Sequence, residues 1–267
     1  MRSKWVITAA AAVAGVALLT SHTVAAPGAT VRVSVGSTGN QGNQPSGYWH
    51  PAISANGLCT AFDSWASNLV PGDTNGYEDI FVHDATRDKT VRASVDGAGN
   101  QTTDGPSWSA AINEDCRYIA FQTSASNLVP GDSNGSFDVF VHDQQSGETE
   151  RVSVDSQGRQ AGGASGSPKL SSDARYVAFY STAEDLVVGD DNHEDDVFVH
   201  DRQTGETKRV SVDSAGRQAD GYSEDPAISS DGRYVAFDSN ASNLVADDTN
   251  GAADVFVHDT QTGIRLG

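Results

Sequence analysis

The sequence predicts an all-β fold, a propeller of four four-stranded blades. Three observations predict it: one set of phrases recurs four times in the same order, each copy carries four strand signals, and sustained 3.6-residue periodicity is absent after residue 26. The clearest phrase ends a strand: Cys59-Thr-Ala-Phe62, then Tyr118–Phe121, Tyr176–Phe179 and Tyr234–Phe237. A second phrase, Asp79-Ile-Phe-Val-His-Asp84, returns at 138–143, 196–201 and 254–259. The third, Arg-Val-Ser-Val, begins at Arg32, Arg151 and Arg209, with Arg92-Ala-Ser-Val as its variant.

Within each unit the strands follow in order. A short strand A covers 51–54, 110–113, 168–171 and 226–229. A tight turn follows, Asn56-Gly57 in copy one and Asp231-Gly232 in copy four, both strong hairpin signals. Cys116 and Ala174 replace that Gly in copies two and three, so those turns must change geometry or hold a side chain at φ > 0. The Tyr-Val-Ala-Phe phrase is strand B and the Val-Phe-Val-His phrase strand C. A Thr-Gly or Ser-Gly turn then leads to Arg-Val-Ser-Val as strand D. The units run over about 48–95, 107–154, 165–212 and 223–267. Residues 31–35 form a strand D with no A, B or C before it, and the fourth copy ends where its own should develop. The orphan strand is therefore expected to complete blade four and close the ring, which would hide two sheet edges. The alternative is an open array, or a fragment of a larger propeller.

Residues 1–26 read as a secretory signal peptide ahead of a propeller over 27–267. A basic Met-Arg-Ser-Lys start is followed by an apolar run from Trp5 to Leu19 and a small-residue exit at Ala25 or Ala26. That run is short for a bilayer, which needs about 20 apolar residues, and no second run occurs, so no membrane span is expected. Export to the periplasm, wall or medium follows. Cys59 and Cys116 then meet an oxidising compartment, where they either bridge two repeats or stand as two thiols. The formal net charge of −19, more negative once Arg2 and Lys4 leave with the signal, argues against nucleic acid and anionic membranes as partners.

Asp225-Pro-Ala-Ile-Ser-Ser-Asp-Gly-Arg-Tyr-Val-Ala-Phe237, followed by Asp254-Val-Phe-Val-His-Asp259, resembles the TolB-like, WD-repeat-like β-propeller repeat. The resemblance spans all four copies, about 31–267. It implies an exported bacterial propeller, usually a docking platform, and no catalytic residues. Two features depart from it: four copies where such propellers generally have six, and an acidic loop inserted between strands B and C.

That loop is the first candidate site. Its triads are Asp73/Asn75/Asp79, Asp132/Asn134/Asp138, Asp190/Asn192/Asp196 and Asp248/Asn250/Asp254. Carboxylate and amide oxygens at alternating positions around a Gly bend suit Ca²⁺, which wants six to eight oxygens. The same side chains also cap their own turns, and direct partner contact is a third reading. The second candidate is the D–A connection, with Tyr48, Trp49 and His50, then Trp108, then Tyr222 and Glu224. Alternating strand direction brings these connections and the B–C loops to one face. There the aromatics either line a channel mouth for a ligand or plug a narrow axis. The strand-C histidines, His83, His142, His200 and His258, lie too far apart to share an ion and are expected to pack. No nucleophile, HExxH or phosphate-loop motif occurs, and nothing singles out one carboxylate pair for glycoside cleavage. The expected function is a secreted, non-enzymatic binding scaffold that contacts an extracellular or cell-envelope protein or polysaccharide through its long-loop face. The alternative is an extracellular propeller hydrolase or lyase acting on glycans or peptides. Repeats that stay equivalent favour the scaffold, and blades that diverge at the channel mouth favour the enzyme.

Overall fold

The computed structural model describes residues 28–261. The proposed signal peptide and the final residues 262–267 lie outside them. Blade one holds β1 (Ala52–Ile53), β2 (Cys59–Ser64), β3 (Asp79–Asp84) and β4 (Lys89–Arg92). Blade two holds β5 (Ser107–Ile112), β6 (Tyr118–Thr123), β7 (Asp138–Asp143) and β8 (Thr149–Arg151), and blade three β9 (Ser165–Leu170), β10 (Tyr176–Ser181), β11 (Asp196–Asp201) and β12 (Glu206–Arg209). Blade four holds β13 (Ser223–Ile228), β14 (Tyr234–Ser239) and β15 (Asp254–Asp259). Each blade is one antiparallel meander, with four strands in blades one to three and three in blade four. No helix among the described residues is long and apolar enough to cross a membrane.

Period-two alternation gives every blade two apolar faces, and consecutive blades bury them against each other. Ala61, Ile80 and Val82 of blade one meet Ile119, Phe121 and Leu128 of blade two. Ala120, Val139 and Val141 meet Val177, Phe179 and Leu186 in the next joint. Ala178, Val197 and Val199 then meet Val235, Phe237 and Leu244. The strand-C histidines stay inside their blades as expected. Their Nδ1 atoms pair with strand-D threonines, His83 with Thr90 at 3.0 Å, His142 with Thr149 and His200 with Thr207 both at 2.9 Å. Burial pushes the pKa of each imidazole down.

Three expectations change. Arg-Val-Ser-Val is the corner after strand D, because each phrase begins at the strand's last residue, Arg92, Arg151 or Arg209. Strand A starts earlier in blades two to four, so Trp108 and Glu224 stand on the innermost strands. Residues 31–35 do not complete blade four among the described residues. Val35 bridges Gln41, and its carbonyl accepts from Thr90 Oγ1 at 2.5 Å, so the segment lies on blade one. The connections at Val95 and Val154 seat on blades two and three through Thr149 and Thr207 in the same way. The described blades therefore form an open arc, in which β15 pairs only with β14.

Cys59 and Cys116 are joined as a disulfide, Cα to Cα 5.9 Å, across the joint between blades one and two. Cys116 and Ala174 do hold φ of 68° and 56° in turns where blades one and four use Gly57 and Gly232. At Gly232 the need for glycine is twofold: φ is +74°, and a Cβ would collide with the Tyr176 ring. Gly232→Ala is therefore expected to cost about 3 kcal/mol through αL strain and overpacking. Denaturant melts check this, and an unchanged midpoint would show that the Tyr176 ring yields freely.

Candidate functional site

The acidic triads are built around a guanidinium. In blade one Arg92 Nη1 lies 3.2 Å from Asp73 and 3.0 Å from Asp79 and donates to Gln101 Oε1 at 2.7 Å. Arg151 lies 3.4 Å from both Asp132 and Asp138, and Arg209 lies 3.0 Å from Asp190 and 3.1 Å from Asp196. Ser94, Ser153 and Ser211 donate to the inner carboxylates Asp79, Asp138 and Asp196.

The asparagine of each triad caps its own turn. Asn75 caps its own turn by accepting from Tyr77 N at 3.1 Å, while its amide donates to Asp79 and Thr102 O. Asn134 accepts from Ser136 N at 2.9 Å and donates to Ala161 O at 3.0 Å. Asn192 accepts from Glu194 N at 3.1 Å and donates to Ala219 O at 3.0 Å, with a longer bond to Asp196. Asn250 accepts from Ala252 N at 2.8 Å. In every copy the amide oxygen that a cation would need is thus turned onto the backbone N–H two residues on, the Asx cap that was the competing expectation. In the first three copies the amide nitrogen ties the loop to the connection leading to the next blade.

In three blades the positive charge between the carboxylates is an arginine, and the described residues contain no group of three or more His, Cys, Asp or Glu side chains placed to hold a metal ion. Burial raises the pKa of Asp73 and Asp138 and pushes Asp190 up to about 6, against the pull of the arginines. Removing one guanidinium would leave two carboxylates in a dry site. Arg151→Ala is expected to destabilise by about 3–5 kcal/mol, and a loss below about 1 kcal/mol in urea melts would mean that water replaces the ion pair.

The other candidate lies on the inner rim. At the start of every strand A a non-glycine residue takes a left-handed backbone: His50 at φ 52°, Ser109 at 56°, Ser167 at 50° and Asp225 at 46°. In blades two to four this is a bulge that shifts register against strand B. Bulges re-aim neighbouring side chains, and αL conformations in non-glycine residues cost about 1–3 kcal/mol each. The residues just before them turn toward the rim: Trp49, Trp108, Gly166 and Glu224. Beside them stand the strand-B positions Asp63, Gln122, Tyr180 and Asp238, and the residues before strand C, Glu78, Phe137, Asp195 and Ala253. The backbone is repeated here while the side chains are not.

On blades one and two these positions assemble an aromatic row. Tyr48 meets Trp49 at 6.0 Å between ring centroids, Trp49 stacks on Trp108 at 5.3 Å, and Trp108 stacks on Phe137 at 4.6 Å. Tyr48 is 78% exposed and Trp49 39%, so the row opens to solvent at its blade-one end. Asp63 holds that end by accepting from Tyr48 N at 2.7 Å and Trp49 N at 3.0 Å. Glu78 lies buried beneath, its backbone carbonyl accepting from Ser107 N at 2.7 Å. Burial, then the hydrogen bond and charge of Asp63, push Glu78 up to about 8, with the Trp108 and Trp65 indoles opposing. Among the described residues neither Glu78 Oε1 nor Trp108 Nε1 has a hydrogen-bond partner of good geometry. On blades three and four the rim carries Asp195, Glu224, Asp225 and Asp238. Glu224 is pushed up to about 7, first by its hydrogen bond with Asp195, then by burial and by the charges of Asp195, Asp225 and Asp238. Lys169, whose pKa burial lowers, lies close enough to feel Asp225.

Of the residues expected to line the mouth, the structure joins Tyr48, Trp49 and Trp108 in one row and places Glu224 in the second cluster. His50 contributes the strained backbone. Tyr222 uses its carbonyl to bind Ser239 and stands in none of the aromatic contacts. Asp63, Trp65, Glu78, Phe137 and Asp195 were not anticipated. Aligning the four repeats column by column would have marked most of them, as columns that diverge inside an otherwise constant unit.

No family model matches the chain, and no curated protein sequence matches it. Solved structures do. TolB from Acinetobacter baumannii aligns at 15% identity and a TM-score of 0.49, over 83% of this chain and 42% of that one. An oligogalacturonate lyase in complex with manganese aligns at 13% and 0.51, over 84% and 53%. A puromycin-hydrolysing peptidase of Mycobacterium tuberculosis aligns at 16% and 0.46, over 81% and 28%. The chain spans about half the length of these structures or less. The likeness to the lyase extends to the fold alone, and the blades described above make that fold a β-propeller.

The Glu78 proton makes a testable demand. With its pKa raised from 4.5 to about 8, the folded state keeps a proton that the unfolded chain has lost. The stability this contributes is full below about pH 4.5 and is lost as pH rises toward about 8. Glu78→Gln is therefore expected to flatten the fall in melting temperature across that window. Parallel slopes for the two proteins would show that Glu78 ionises normally.

Proposed function

We propose that this protein binds an extracellular or cell-envelope polysaccharide on its inner rim, and that it acts as an exported binding propeller. The observation that carries the reading is the aromatic row Tyr48–Trp49–Trp108–Phe137, open at Tyr48 and flanked by carboxyls. Flat, exposed aromatic faces suit the apolar C–H faces of sugar rings, and carboxylates suit sugar hydroxyls. The acidic surface disfavours polyanionic glycans, so the ligand is a neutral or amino-sugar polymer. The disulfide between Cys59 and Cys116 supports an oxidising compartment and hence export, as does the N-terminal signal pattern.

One observation favours a second reading, a glycan-cleaving enzyme. The rim breaks the fourfold symmetry, and two carboxyls on it, Glu78 and Glu224, are pushed up to about 8 and about 7. Protonated carboxyls beside ionisable partners are the equipment of general acid catalysis. Binding remains the first reading because it uses groups that face solvent, whereas Glu78 is buried. Calcium enters as a stabiliser of the fourth acidic loop, Asp248/Asn250/Asp254. Its test is a higher melting temperature with Ca²⁺ than with EDTA.

Affinity electrophoresis against soluble neutral glucans, mannans and chitosan tests the main reading. Trp49→Ala and Tyr48→Ala are each expected to weaken binding about tenfold, since base or sugar stacking on an aromatic contributes roughly 1–3 kcal/mol. Retardation that survives both substitutions would reject the row as the binding surface. Release of new reducing ends, abolished by Glu78→Gln, would instead establish the enzyme.

A further inference from the structure

The connection that enters each of the first three blades is laid against the same place, the outer edge of strand D. Thr90, Thr149 and Thr207 donate through Oγ1 to Val35, Val95 and Val154 O. Two residues further on, the connection meets the backbone of that same threonine. Ser37 Oγ accepts from Thr90 N at 3.0 Å and donates to Thr90 O at 3.2 Å. Ser156 Oγ treats Thr207 in the same way, at 3.0 and 3.3 Å. One hydroxyl thus satisfies an N–H and a C=O that an edge strand would otherwise leave unpaired.

Blade two lacks that hydroxyl, because the residue at this position is Gly97. The loop around it is unchanged. Asp96 N donates to Asn100 O and Gly99 N to Asp96 O, both at 2.9 Å, as Asp155 N does to Arg159 O and Gly158 N to Asp155 O. Nor does the backbone require a glycine: φ at Gly97 is outside the left-handed region, and a Cβ there would meet nothing within 4 Å. In β8, Glu148 O and Val152 N bond inward to Asp143 N and Val139 O, so Thr149 turns its own N–H and C=O outward. Thr90 and Thr207 are 3% and 4% exposed, whereas Thr149 is half-buried. The groove in front of it has a volume of about 480 Å³ and runs from Gly97 to Arg202 of blade three, a size that suits a small molecule.

We propose that this groove is a second carbohydrate site, in which a hydroxyl of a neutral sugar takes the place of the missing serine, accepting from Thr149 N and donating to Thr149 O. The sibling blades show the chemistry of the occupant: what fits the gap is a hydroxyl that accepts and donates at once. Charge points the same way. Both guanidinia over the Tyr118 ring are already paired, Arg117 with Asp143 at 2.7 Å and Arg202 with Glu150 at 2.5 Å. Their charge is neutralised within the fold, which disfavours a phosphate or carboxylate ligand. Glu148 adds an exposed carboxylate that suits further hydroxyls. An extended peptide would pair with alternate residues of the strand, Thr149 and Arg151, but the groove is lined by Thr149 and not by Arg151. The site lies on the outer edge of blade two beside its tight turns, apart from the inner rim of Trp49 and Trp108, and it does not depend on binding there.

The test follows the Thr149 amide by proton–nitrogen NMR while the full chain is titrated with millimolar methyl glucoside, methyl mannoside or methyl N-acetylglucosaminide. A tetra-alanine peptide serves as the competing occupant. The Thr149 resonance is expected to shift saturably with at least one sugar and to ignore the peptide. Gly97→Ser installs the cap of the sibling blades. It is expected to keep the melting temperature and to raise the Kd for that sugar about tenfold or more, since the serine takes both hydrogen bonds. A Thr149 amide that ignores all the sugars overturns the proposal, and so does a sugar response that survives Gly97→Ser at wild-type strength. A peptide that shifts Thr149 and Arg151 together would assign the groove to strand pairing and overturn it as well.

Discussion

The arginine held between two aspartates is the interaction on which the rest of the molecule depends. In each of the first three blades it ties the B–C loop to the end of strand D, and the connection that leaves for the next blade joins through Gln101 on Arg92 in blade one and through Gln160 and Gln218 on the carboxylates in blades two and three. Strand D is only three or four residues long, too short to hold by ladder bonds alone. The guanidinium fixes its end, and the serine two residues on binds the same inner carboxylate. From that corner the connection runs onto the following blade, where a threonine bonded to a strand-C histidine takes hold of its backbone. The buried ion pair thus specifies how one blade is followed by the next. An apolar replacement could match its stability, but it would not fix the path of the connection.

A second arginine family works on the opposite face. Arg117, Arg175 and Arg233 bind Asp143, Asp201 and Asp259 in bidentate fashion at the A–B turn, and each lies 4.7–4.9 Å over the tyrosine that follows it. The Arg117 and Arg175 guanidinia hold Asp143 and Asp201 well below the usual carboxylate range. Blade one has Leu58 at this position, and there the disulfide from Cys59 to Cys116 secures the same corner. Many of the aspartates thus face arginines rather than solvent, while the formal excess of 19 negative charges is left over from such pairing.

The blades, their strand order and the common face of the long loops were legible in the sequence because they follow from repetition and alternation. Phe62, Phe121, Phe179 and Phe237 recur every 58 or 59 residues, and each is buried. Strand D was misplaced because Arg-Val-Ser-Val looks like a strand by composition, while its Arg and Ser are held by side-chain bonds at a corner. The acidic triads were legible as a pattern but not in their partner, which lies 13 to 19 residues downstream at an arginine already assigned to a strand. Asn134 and Asn192 show the same limit: their spacing is that of a ligand and of a turn cap alike, and the cap bond is visible only in the folded loop. The inner rim was only half legible. Trp49 and Trp108 stand out by type, but Glu78 and Asp63 look like ordinary loop and strand residues until the fold brings them together.

The four left-handed residues explain why divergence is concentrated at that rim. The left-handed backbone that recurs at His50, Ser109, Ser167 and Asp225 is part of the shared framework, and in blades two to four it is a bulge. Substituting the residue before it changes what faces the axis without disturbing the blade faces, since Trp49, Trp108, Gly166 and Glu224 occupy equivalent places. Core positions lack that freedom. A larger side chain at Ala120 or Ala178 would push two blades apart, because both are fully buried in a joint. Function in such a fold is free to vary where the chain turns inward, and the aromatic row and the acidic cluster are two outcomes on one scaffold. The buried, proton-holding Glu78 shows how far one of them has moved from the plain repeat.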